Sequence, residues 1–149
     1  MSGTRNVSLA GAVVLSVLAL VSCPAASPPV SPPPGALQVF QGSTELTSGT
    51  GYNYGTCIDL SSTAATFTVK NNTSATVNLN ATTPYVVAGT DATDFHLTAV
   101  SGTRVLASGA SATFDVSFAP SRTGAESATL TVNWSYGKVS LPLHGSGTL

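Results

Sequence analysis

From Leu37 to the C-terminus apolar residues recur at every second position, the pattern of strands that bury one face and leave the other to water. Ala65, Phe67 and Val69 alternate with Thr66, Thr68 and Lys70. Ala112, Phe114, Val116 and Phe118 alternate with Ser111, Thr113, Asp115 and Ser117, and Ala128, Leu130, Val132 and Trp134 with Thr129, Thr131 and Asn133. Val77 with Leu79, Phe95 with Leu97, and Val139 with Leu141 and Leu143 complete the set. No stretch reads as an amphipathic helix. Turn signals separate the runs at Asn71-Asn72, residues 88–91, Ser101-Gly102, Ser108-Gly109, residues 120–124 and Tyr136-Gly137. About seven to eight strands in about 110 residues, each with one polar face, predict an all-β, antiparallel β-sandwich. Pro142 falls on the outward side of the last run, which places that strand at a sheet edge, where a missing N–H is tolerated.

The N-terminus is patterned differently. Arg5 precedes an apolar run from Val7 to Val21, the arrangement of a signal peptide. As a helix the run would reach about 22 Å, short of the roughly 30 Å hydrocarbon core of a bilayer. It ends in Leu20-Val21-Ser22-Cys23, which resembles the bacterial lipobox. The resemblance implies cleavage before Cys23 and acylation of its thiol, so that residues 1–22 are removed. Cleavage after Ala25 is the competing pattern, with simple secretion as its consequence, and an uncleaved anchor is the third. Residues 24–35 (PAASPPVSPPPG) carry most of the nine prolines and predict an extended spacer of about 37 Å. Three segments follow: the signal peptide 1–22, the lipidated Cys23 with a proline-rich tether to residue 36, and one β domain over 37–149.

Composition narrows the function classes. Of 149 residues only 7% are charged, against roughly 25% in ordinary soluble domains. Five Lys+Arg and a net charge of -1 exclude the basic surface that nucleic-acid binding requires. Once residues 1–22 are gone, four basic residues stand against six acidic ones. The outward strand positions are written in threonine and serine, which keep a pleated surface wet without charge. Removal of Cys23 from disulfide chemistry leaves Cys57 as the single thiol, expected to be buried as a small hydrophobe.

Several segments together resemble the bacterial choice-of-anchor D domain, related to ASH and hydin-type immunoglobulin-like modules. They are Ser48-Gly49 with Tyr54-Gly55-Thr56, the stretch TFTVKNNTSATVNL from Thr66, Thr93-Asp94-Phe95, and residues 106–110. The stretch SATFDVSFAP from Ser111, Thr123-Gly124, residues 127–130 and LPLHGSGT from Leu141 complete them. The most specific is the string from Phe118 through Ala119 and Pro120 to Gly124. The chain departs from the pattern at Thr73, where glycine is usual, at the turn 133–137, and at Cys57, where an aliphatic residue is usual. The resemblance implies an immunoglobulin-like sandwich used as a binding or spacer unit, with no catalytic residues.

The residues that could carry chemistry are few. Asp94 and His96, at i and i+2, are expected on the same outward face of one strand, with His144 as the only other histidine. That donor set is too small for a zinc site, and Asp91 with Asp94 lacks the ligand number and loop spacing of a calcium site. Gly109-Ala110-Ser111 lacks the frame of a nucleophile elbow. No metal, cofactor or enzymatic activity is expected. Tyr52 with Tyr54, and Tyr136 at the last turn, are the candidate ligand contacts, where rings could stack on sugars. The expectation is a bacterial envelope lipoprotein, held to the outer membrane or the outer face of the cytoplasmic membrane, whose domain binds another macromolecule. The alternative is a module that binds cell-wall or surface glycans.

Overall fold

The computed structural model describes residues 36–79 and 82–149. They form eleven strands: β1 (Leu37–Gln41), β2 (Thr44–Leu46), β3 (Tyr52–Cys57), β4 (Thr63–Asn71), β5 (Val77–Asn78), β6 (Tyr85–Ala88), β7 (Phe95–Ser101), β8 (Val105–Leu106), β9 (Ser111–Phe118), β10 (Gly124–Trp134) and β11 (Gly137–Gly147). Eight of these have four or more residues; the named alternating runs fall on β4, β7, β9, β10 and β11, while the Val77/Leu79 run is only the two-residue β5, and β1, β3 and β6 complete the two sheets. One sheet runs β2-β1-β4-β9-β7, the other β3-β11-β10-β6, and β5 pairs with β8 apart from both.

Two sheets enclosing one apolar layer make an immunoglobulin-like β-sandwich. Its pairings are antiparallel except one: β3 runs parallel to β11. The alternation is realised residue by residue, since Phe67, Val69, Phe114, Val116, Phe118, Leu130, Val132, Leu141 and Leu143 are all essentially inaccessible to water. Each large side chain of this kind stabilises the fold by about 1.5–3 kcal/mol through burial. Aromatic rings form the centre, with Phe67 stacked on Phe114 at 5.4 Å and Phe95 on Phe118 at 4.6 Å.

Two expectations need correction. Leu97 shares the inward row with Val116 but is 41% exposed. It stands on β7, an edge strand buried only at Phe95, and the β7–β9 register shifts just after it. The strand that carries Pro142 is central rather than an edge, because β11 lies between β10 and β3. The proline is tolerated because pairing with β3 starts only at Leu143, opposite Tyr52, so no β3 partner is in register at position 142.

Candidate functional site

The sequence candidates disperse over the fold. Tyr52 and Tyr54 occupy β3 but turn toward the core instead of forming a flat external pair. Their rings stand edge to face at 4.9 Å and 87°, Tyr52 leans on Phe67 at 5.3 Å, and Tyr54 sits 5.8 Å from Phe95 and 5.7 Å from Phe118. Tyr54 donates its hydroxyl to the carbonyl of Val116 at 2.7 Å, and burial raises its phenol well above the ordinary range, with Tyr52 adding to the shift. Tyr136 is 37% exposed at the β10–β11 turn. Tyr52 pairs with Leu143, six residues along β11 from Gly137 and so about 20 Å from that turn. The three tyrosines therefore share no ring platform.

Asp94 and His96 do not share an outward face either. Strand β7 starts at Phe95, and Asp94 lies before it in the 3-10 turn Ala92–Asp94, buried, with its Oδ2 accepting a hydrogen bond from Ser121 Oγ at 3.1 Å. His96 and His144 are exposed on β7 and β11, strands of opposite sheets, and do not converge. Among the described residues no group of three or more His, Cys, Asp or Glu is placed to hold a metal ion. Cys57 is a free, buried thiol. The lipobox Leu20-Val21-Ser22, Cys23 and the proline-rich segment lie outside the described residues.

The fold assembles a polar cluster that residue patterns alone did not single out. Asp91, just before the 3-10 turn, accepts from Arg122 Nη2 at 2.7 Å and from the Ser127 backbone N–H at 2.8 Å. The Ser127 N–H, and then the Arg122 guanidinium, hold its carboxyl below the usual aspartate range. Glu126 lies opposite Gly145 on the inward row of β10 that continues through Ala128 and Leu130, and is only 2% exposed. Neither of its carboxylate oxygens has a hydrogen-bond partner, and Arg122 Nε is 3.9 Å from Oε1. Burial first, and then the neighbouring Asp94 carboxyl, push Glu126 up to about 7. Sequence parity was the signal that could have found it: Glu126 precedes Ala128 by two, so the alternation turns it inward.

Across β3, β10 and β11 runs an open groove of about 470 Å³, lined among others by Asn53, Thr56, Ser127, His144 and Ser146. It lies where the β3–β11 register shifts between His144 and Ser146, beside Gly55, whose backbone at φ 77 is held by a 2.8 Å bond from its N–H to Asn53 Oδ1. Its wall offers the side-chain donors and acceptors of Asn53, Thr56, Ser127 and Ser146, the His144 imidazole and the Glu126 carboxyl.

No family model matches the chain, and no curated protein matches it. Solved structures do. The secreted serine protease VesC from Vibrio cholerae is 27% identical over 64% of this chain, with a TM-score of 0.50. The chain spans only 21% of VesC, and the protease activity is a property of that whole protein. The ASH/PapD-like domain 7 of human CEP192 covers 97% of this chain and 98% of its own, at 15% identity and a TM-score of 0.49. A family 123 glycoside hydrolase from Clostridium perfringens covers 76% of this chain and 27% of its own, at 7% identity and 0.47.

Proposed function

We propose that the protein is a bacterial envelope lipoprotein, acylated at Cys23, whose choice-of-anchor D-like sandwich is a non-catalytic binding or structural module for another macromolecule. The observation that carries this reading is order along the chain: Leu20-Val21-Ser22-Cys23, then the proline-rich spacer, then one β domain. A domain lifted about 37 Å from a lipid anchor presents its faces beyond the headgroups. The polar groove between β3 and β10 and the neighbouring loops are the surfaces that suit a partner. The glycan alternative loses its main support, because Tyr52 and Tyr54 are packed on Phe67, Phe95 and Phe118.

Metabolic labelling of cells with a fatty-acid probe tests the anchor. Wild type is expected to label and Cys23→Ala not to; equal labelling of both refutes the lipoprotein reading. Crosslinking from the domain in cells, with a photoreactive residue in place of Ser146, tests the binding role. Capture of one macromolecular species is expected, and loss of that capture on substitution of Asn53 and His144 locates the site.

A further inference from the structure

We propose that β7 is the docking edge for an extended, uncharged segment of a partner protein, which adds to the sheet as a strand and lays alternate apolar side chains beside Leu97 and Val100. Among the described residues β7 has one neighbour, β9, so its other side presents a row of unpaired backbone N–H and C=O groups. It is the longest of the edges of the two large sheets: seven residues, against three in β2, six in β3 and four in β6. Natural proteins blunt such edges with lysine, proline or an inward charge, and Phe95–Ser101 carries none of these.

The side chains of this edge point the same way. Register places Leu97 opposite Val116 and Val100 opposite Phe114, both on the inward row of β9. The shift between Leu97 and Ala99 brings residues three apart onto one face. Val116 and Phe114 are closed to water, whereas Leu97 is 41% and Val100 48% exposed. The apolar row is therefore sealed at Phe95, which is buried, and open along the rest of β7. Strand β6, the edge of the other sheet, approaches β7 on this side. Its Tyr85 stacks on Phe114 at 4.3 Å, and the hydroxyl of that tyrosine is buried without a hydrogen-bond partner. An unpaired backbone edge, an uncovered apolar row and an unsatisfied donor thus occur together.

Chemistry selects the occupant. A polypeptide strand supplies alternating donors and acceptors at the spacing of a sheet edge, together with side chains that face the row at every second position. No Lys, Arg, Asp or Glu stands on β7, and neither Leu97 nor Val100 has a charged register partner. The segment is therefore uncharged where it meets the row, because a charge there would be dried without a counter-charge. A second copy of the chain fits less well. The edge is about 23 Å long and packed sheets lie about 10 Å apart, an area well under the roughly 800 Å² per partner that folded domains bury in a stable contact. An extended segment reaches the same groups with its own backbone and needs no larger face. This edge belongs to the sheet opposite the groove across β3, β10 and β11, and the proposal does not depend on what fills that groove.

The test titrates the full chain with short capped peptides that alternate threonine with valine, leucine or phenylalanine, read by fluorescence anisotropy and by amide hydrogen exchange. Saturable binding of at least one peptide is expected, with slower exchange at alternate amides of β7. Leu97→Lys and Val100→Lys put a charge into the row at positions already open to water, so the fold is kept, which urea unfolding checks. Each is expected to weaken binding about tenfold or more, and N-methylation of the peptide amides along one edge is expected to abolish it. Failure of every peptide to bind, binding unchanged in both lysine variants, or protection that appears on β3 instead of β7 overturns the proposal. A concentration-dependent dimer that Leu97→Lys dissolves also overturns it, since it assigns the edge to a second copy.

Discussion

Tyr54 on β3 donates its hydroxyl across the sandwich to the backbone carbonyl of Val116 on β9 at 2.7 Å, one hydrogen bond that ties one sheet to the other. The ring beneath it packs on Phe95 and Phe118, so the side chain contributes both apolar area and a satisfied polar tip. Tyr54→Phe keeps the ring and removes the tip. It is expected to cost about 1 kcal/mol in urea unfolding, while Tyr54→Ala costs about 3 kcal/mol or more. Equal losses for the two would mean that the ring packing contributes nothing beyond the hydroxyl.

Asn71 closes the opposite problem, a loop with no strand to satisfy it. Its amide nitrogen donates to Ala75 O, Leu106 O and Ala107 O at 2.8, 2.9 and 3.0 Å, and its Oδ1 accepts from the Thr73 N–H and hydroxyl at 2.9 and 2.7 Å. Two hydrogens serve three carbonyls, so one is shared. Asn71→Ala is expected to cost about 3 kcal/mol by leaving several buried groups unpaired. Asn71→Asp should be worse than alanine, because it sets a carboxylate against three carbonyl oxygens. A milder loss for Asp than for Ala, measured by urea unfolding at neutral pH, would show that the donors do not matter.

Legibility divides along the same line between pattern and partner. The inward rows of β4, β9, β10 and β11 were readable because burial in a strand follows a period of two, and Phe67, Phe114, Leu130 and Leu141 obey it. Leu97 broke the rule because exposure also depends on a strand's place in its sheet, and β7 is an edge whose register against β9 shifts just after Leu97. Asn71 read only as a turn residue, since three of its partners lie 35 or 36 residues away or arise from the loop it organises. Thr73, which stands where the resembled pattern has glycine, is used: it is buried, and its hydroxyl accepts from the Ala75 N–H at 3.3 Å as well as donating. The packing of Tyr54 is not legible from local spacing, because β3 pairs in parallel with a strand about ninety residues later.

Gly145 opposite Glu126 is a packing constraint. A Cβ at this position would lie 2.3 Å from Cε1 of Phe118, a ring fully enclosed in the core and stacked on Phe95. The ring has nowhere to go without disturbing its neighbours. Gly145→Ala is expected to cost about 2 kcal/mol or more through overpacking. In a Phe118→Leu background the added cost should shrink, giving non-additive losses in a double-mutant cycle by thermal unfolding. Strict additivity would mean that the glycine serves the backbone and not the ring.

The polar cluster sets the shape of stability against pH from two sides. Asp91 is held below the ordinary aspartate value of 3.8 by the Ser127 N–H and Arg122, so the folded state binds fewer protons than the unfolded one near that pH, and its contribution is lost as pH falls through the folded value. Its partner Arg122 is about half exposed, so the effect is modest and weakened by salt. Glu126 works in the other direction, losing its contribution as pH rises from 4.5 toward about 7. Between the two, maximum stability falls in the mildly acidic range, near pH 4 to 5, below the interval of roughly pH 5 to 8 usual for proteins. Melting temperatures measured across about pH 3 to 8 should show that peak. Asp91→Ala should flatten the acidic limb, with Asp91→Asn retaining part of the stability through an acceptor for Ser127, and Glu126→Gln should flatten the limb above pH 5. A wild-type maximum at or above neutrality would mean that Glu126 is ionised in the folded domain, and that Arg122 reaches it more closely than the 3.9 Å seen here.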